Sequence, residues 1–226
     1  MSYSKLVERY IVSFAIFFML SLPEGLVRKI FSEKNNFRPT PIPPTPPSLR
    51  PPPTMEITIG PPRVPIAEYL TATRIEYVPE RFLLDISGPV EEVSEVVKGL
   101  PSFFDDLGYD LNKMVRYIEI NFPPQPIDIK EAVKNIRSQI IFKGIEHLSK
   151  LIGVDVNVFS FSLSFPETPL TLNWLHIKVD PDVNSPGARL FVSIIKRAEK
   201  LSEGGSFLII IPQVLTAIKE LLEGTQ

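Results

Sequence analysis

Cysteine is absent from the 226 residues, and histidine occurs only as His147 and His176. Without thiols there are no disulfides, cysteine nucleophiles, iron–sulfur ligands or thiolate zinc sites. Two histidines also cannot make a three-histidine metal centre within one chain. Neither sign of charge predominates, with 24 Lys and Arg against 26 Asp and Glu. That balance excludes the strongly basic field of a typical nucleic-acid binder, although it leaves room for a local basic face. No Asn-x-Ser/Thr glycosylation acceptor occurs, nor a Gly-rich phosphate loop or a dinucleotide fingerprint. With four glutamines and abundant Ile, Lys, Glu and Pro, the usage is thermophile-like.

Proline, by contrast, is abundant: 24 residues, twelve of them between Pro39 and Pro65. Proline fixes φ and lacks an amide proton, so this stretch cannot be a helix or a central strand. It reads as an extended polyproline II spacer of about 3.1 Å per residue. Its Pro-x-x-Pro spacings would also suit an aromatic groove. The chain therefore divides into an N-terminal hydrophobic segment (1–36), a Pro-rich linker (37–65) and a globular α/β domain (66–226).

Tyr10 to Leu22 is a run of thirteen uncharged, mostly apolar residues. As a helix it spans about 20 Å, short of a hydrocarbon core, but extension from Leu6 to Val27 makes the length adequate. The leading expectation is a hydrophobic helix that anchors the chain in a membrane. Tyr10, Phe14, Phe17, Phe18 and Leu20 would face lipid, with Tyr10 at headgroup depth. A signal peptide is a weaker alternative, because Ser21-Leu22-Pro23-Glu24 offers no small-x-small cleavage site. A buried or interfacial helix is the other. Arg28, Lys29, Lys34 and Arg38 follow the run and outnumber Lys5 and Arg9 before it, which favours a membrane-associated protein with a cytoplasmic domain.

Beyond the linker, the spacing predicts a strand over 81–87, a helix from Val90 to Leu100 and a strand over 115–122. A long helical region from Ile127 to Ile152 follows. A hairpin is expected from Val154–Phe165 and Leu170–Val179 around Pro166-Glu167-Thr168-Pro169. Then come a helix over 188–201, a buried strand over 207–211 and a last helix from Val214. The fold class is α+β, a mixed sheet of five or six strands with helices packed on it. Leu83–Phe122 and Leu175–Ile211 share an outline that suggests a duplicated β-α-β unit of ferredoxin-like kind.

Two constellations carry chemistry. Asp85, Asp180 and Asp182 end strands ahead of helix-opening turns, where hard oxygen ligands hold a divalent metal and strand ends hold ligands. The same residue types also simply cap helices and shape turns. Trp174, His176 and Lys178 share one strand face, an aromatic and basic set able to stack a base and touch a phosphate, or to meet a protein partner. His147 and the pair Phe103-Phe104 read as helix surface and helix-end packing.

No catalytic constellation and no cofactor is implied, so a non-enzyme is favoured. The first reading is a membrane-tethered, non-catalytic binding or assembly module, an accessory subunit with protein partners. The alternatives are a divalent-metal-dependent enzyme acting on a phosphate-containing substrate, and a single-stranded nucleic-acid-binding module.

Overall fold

The computed structural model describes residues 10–41, 61–141, 144–165 and 172–224. In chain order the elements are β1 (Ile11–Phe18), α1 (Glu24–Ser32), β2 (Phe37–Pro39), β3 (Val64–Tyr69), β4 (Thr73–Val78), β5 (Leu83–Pro89), α2 (Val90–Asp105), α3 (Leu111–Met114), β6 (Val115–Asp128), α4 (Ala132–Gln139), α5 (Ile145–Ile152), β7 (Phe161–Ser164), β8 (Trp174–Pro181), β9 (Arg189–Ala198) and α6 (Leu201–Glu223). The strands form one nine-stranded sheet in the order β2-β3-β4-β5-β1-β6-β9-β8-β7. Each pairing with a defined register is antiparallel. The expected mixed sheet of five or six strands is thus replaced by a larger antiparallel one.

The chain forms two compact units, one reaching to Glu119 and taking in Glu199–Leu201, the other holding Ile120–Ala198 and Ser202 onward. In the first unit, directly paired residues share a face. Phe14 opposes Ile86, Ile16 opposes Leu84, and these meet Ile75 and Tyr77 of β4. All six are fully buried, and their row supplies the core together with Val27, Ile30 and Phe31 of α1 and Val93, Val97, Leu100 and Phe104 of α2. The opposite row is more polar: Ser13 pairs with Ser87, and Ala15 with Asp85, which in turn pairs with Glu76.

Among the described residues the expected N-terminal hydrophobic helix is not present. Residues 11–18 are strand β1, next to β5 and β6 in the sheet order. An apolar run of this length fits a buried helix or a buried strand by hydrophobicity alone. Val12, Phe14, Ile16 and Phe18 lie buried and alternate with less buried neighbours. Six of the eight residues are Ile, Val or Phe flanking Ser13 and Ala15, types that favour a pleated surface. Of the expected Pro-rich linker, Phe37–Pro39 pairs with β3, and Val64–Tyr69 is β3 itself. Residues 42–60 lie outside the described residues.

In the second unit, Ile177 opposes Ile194, Val179 opposes Val192, and Leu163 opposes Ile177. The two arms of the expected hairpin do pair, but the first is limited to β7, and the turn at 166–169 lies outside the described residues. Two assignments beyond it are exchanged. Residues 188–201, expected as a helix, hold β9, whose Leu190, Val192 and Ile194 alternate with half-exposed positions. Residues 207–211, expected as a strand, lie inside α6 with Pro212. There Leu208, Ile211, Leu215, Ile218 and Leu222 are buried at three- and four-residue intervals, the period of a helix packing one stripe, and Leu201 and Phe207 are buried as well. The long helical region of 127–152 is divided: β6 continues to Asp128 through Pro123, Pro124 and Pro126, and α4 and α5 are short.

The suggested duplicated β-α-β unit is not formed either, since its second helix is β9 and its second closing strand is helix. A repetition exists at a different level. Leaving aside the short α3, the chain runs β1-α1-β2-β3-β4-β5-α2 and then β6-α4-α5-β7-β8-β9-α6, with the unit boundary falling inside β6. In both runs, the last strand of an antiparallel meander lies beside the opening strand, β5 beside β1 and β9 beside β6.

Candidate functional site

The outer row of β8 carries Trp174, His176, Lys178 and Asp180, as a strand period of two requires. Trp174 and His176 stack with ring centroids 5.8 Å apart and planes within 10°. Arg197, directly opposite Trp174 across the β8–β9 pair, places its guanidinium 5.3 Å from the indole centroid. Lys178 pairs with Asp180 at 2.8 Å. Trp174 and His176 are thus in contact and joined by Arg197, whereas Lys178 shares their row but is paired with Asp180. Only the pairing register identifies Arg197, and that register was hidden while residues 188–201 read as a helix. The aromatic surface is partly committed to its own neighbours: Trp174 already has a ring and a cation against it.

The three aspartates each have a local partner. Asp85, nearly buried, accepts a hydrogen bond from Ser13 Oγ at 2.6 Å and another from Arg63 Nη1 at 2.7 Å. Arg63 also donates to Glu76 at 2.8 Å. The hydrogen bonds it donates to Glu76 and then Asp85 raise the pKa of the Arg63 guanidinium, against the opposing effect of burial. Asp180 pairs with Lys178. Asp182 Oδ1 accepts the Asn184 amide at 2.9 Å, and its main chain holds Arg189 and Ser185 in the turn before β9. Asp85 belongs to the first unit, Asp180 and Asp182 to the second. Among the described residues no group of three or more His, Cys, Asp and Glu side chains is arranged to hold a metal.

Of the residues expected to face lipid, Phe14 and Phe18 are core residues. Phe17 stacks on Tyr117 at 4.3 Å. Tyr10 accepts the Val90 amide on its carbonyl, which fixes the start of α2. Leu20 is exposed in the turn after β1. A different segment, Leu201–Glu223, is long and apolar enough to cross a membrane by length and composition, with 28% of its most apolar stretch buried in the structure. Ile209, Ile210 and Leu221 form exposed positions on that helix.

Helix α5 is the most unusual surface element. None of its eight residues is buried. At 100° per residue, Ile145, Leu148, Leu151 and Ile152 fall on an arc of about 120°. Glu146, His147 and Lys150 occupy the opposite side. Leu151 is 71% exposed, and Ile141 and Val154, on either side of the helix, are exposed as well. Gly144 and Gly153 bracket it in left-handed conformations, as a helix terminator does at Gly153. Sequence periodicity showed Ile145, Leu148 and Ile152 on the apolar stripe of a longer helical region, with Gly144 as a point where that region could break.

Compared with known proteins, the chain matches no protein family, no curated protein and no solved structure.

Proposed function

We propose that the protein is a non-catalytic binding or assembly module, an accessory subunit of a larger complex, and that α5 is its docking element. The observation that carries this reading is the helix without a buried residue whose apolar side chains nevertheless share one face. Burying an apolar side chain is worth about 1.5–3 kcal/mol, so such a face is stabilised by a partner. Ile145, Leu148 and Ile152 have the i, i+3, i+7 spacing of a helix that lies in an apolar groove. The polar side, Glu146, His147 and Lys150, has no excess of positive charge to favour anionic headgroups, so the partner is a protein surface.

Membrane association is the location that accompanies this reading. Its support is now the apolar composition of Leu201–Glu223 and the exposed Ile209 and Ile210. The charge asymmetry around residues 10–22 no longer bears on orientation, because that segment is a strand.

The test is a double substitution, Leu148→Glu with Leu151→Glu, in the full chain expressed in its native cells. Both positions are exposed, so thermal unfolding of the purified variant should match the parent. A stoichiometric partner held by the parent and lost by the variant is the expected result. Identical co-purifying proteins for parent and variant, or none for either, would overturn the reading.

A further inference from the structure

Four non-glycine residues among those described adopt left-handed φ: Asn36, Leu70, Phe82 and Glu131. Two of them are joined, since the Leu70 amide donates to the Asn36 carbonyl at 3.1 Å. For leucine that backbone carries a steric cost, and such strain gathers where function requires a fixed geometry. Both residues adjoin one cavity in the first unit, of about 310 Å³, lined by Lys34, Asn35, Phe37, Tyr69, Glu95, Val96 and Phe103.

The cavity wall is aromatic. Phe37 lies directly across the β2–β3 pair from Tyr69, with ring centroids 4.7 Å apart. Phe103 meets Phe37 edge-on at 5.7 Å. Gly99 makes room for Phe103: a Cβ at that position would come within 2.6 Å of the ring. One carboxylate joins the wall, because the Tyr69 hydroxyl donates to Glu95 Oε2 at 2.8 Å and aims it. Burial, and then the hydrogen bond to Glu95, raise the Tyr69 pKa and keep that hydroxyl protonated. An ammonium already rests on this surface: Lys34 Nζ lies 5.1 Å from the Phe103 centroid and is neutralised by Asp106.

We propose that this cavity binds a methylated ammonium group, held by the faces of Phe37, Tyr69 and Phe103 and by the Glu95 carboxylate. Aromatic faces attract cations through the ring quadrupole, and aromatic cages are a common site for quaternary ammonium. A primary ammonium needs three hydrogen-bond acceptors, whereas beside the rings and Val96 this wall offers the Glu95 carboxylate and Asn35, with Lys34 already paired to Asp106. A methylated ammonium needs none. The group would come either from a free choline-like molecule or from a methylated lysine of another chain. The site lies in the other unit from α5 and is independent of that helix.

Proton NMR or calorimetry on the full chain tests the assignment with choline, dimethylbutanol (its neutral carbon isostere), and an alanine peptide carrying trimethyl-lysine or plain lysine. Choline or the trimethyl-lysine peptide should bind, with the isostere at least about tenfold weaker. Glu95 is exposed, so Glu95→Gln should fold normally and weaken binding about fivefold. Binding of choline alone would indicate a small-molecule ligand, and tighter binding of the methylated peptide a side chain. The proposal is overturned if the isostere binds as well as choline, if Glu95→Gln and Phe103→Leu leave binding unchanged, or if neither cation binds at tens of millimolar.

Discussion

The Tyr77 hydroxyl receives the Leu22 amide at 2.8 Å and donates to the carbonyl of the same residue at 2.9 Å. One fully buried side chain thus closes both main-chain groups of the residue that turns the chain from β1 toward α1. Phenylalanine has the same shape without the hydroxyl. Tyr77→Phe would leave a buried N–H and C=O unpaired, at a cost of about 2–4 kcal/mol. Urea unfolding with an unchanged m-value would measure it; a loss under half a kilocalorie would mean that the turn is solvated instead.

Gly88 and Gly25 make opposite predictions. A Cβ on Gly88 would lie 2.7 Å from Thr73 Cα and 2.4 Å from its Oγ1, while nothing lies within 4 Å of one on Gly25. Gly88→Ala must push β4 and β5 apart and should destabilise by about 1–3 kcal/mol. Gly25→Ala, within α1, should be neutral or stabilise by about 0.5 kcal/mol. Thermal melts of the two variants side by side should move in opposite directions or, for Gly25, not at all.

If β1 belongs to the core, its removal is not tolerated. Deletion through Leu22 should leave no cooperative unfolding transition, and Phe14→Ala should cost about 3–5 kcal/mol. Hydrogen exchange provides an independent check, with the amides of 12–16 among the slowest in the chain. Fast exchange there, or a well-folded truncation, would restore a separable N-terminal segment.

Alkaline titration should report on Tyr69. Its pKa is raised in the folded state, so above pH about 10 the unfolded chain loses this proton first. The folded state then binds more protons, and stability falls as pH climbs through that range. Below pH 9 the contribution is fully present. In Tyr69→Phe the alkaline slope should be shallower by up to one proton, read from unfolding free energies at stepped pH.

Much of the local structure was legible. The strands around Leu84 and Ile118 alternate or run apolar between clear turn residues. Val90, Val93, Val97 and Leu100 recur at helical spacing in α2. The faces of β7 and β8 follow from Phe161, Leu163, Ile177 and Val179. Trp174 and His176 share a side because a strand has a period of two. What failed were runs whose hydrophobicity fits either element. IVSFAIFF and FLIII are both compact apolar runs, and the first became a strand while the second became part of a helix.

The candidate sites divide in the same way. That Ile145, Leu148 and Ile152 form a stripe is a property of the sequence. That the stripe is uncovered depends on what the rest of the chain leaves beside it. Phe37, Tyr69 and Phe103 sit far apart in the chain and in three different elements, and no spacing connects them. Residue order determines which side chains share a face of an element, because backbone period is local. Which face meets solvent, which run extends and which coils, and which rings close around one cavity were decided by long-range pairing, since each depends on burial against partners distant in the chain.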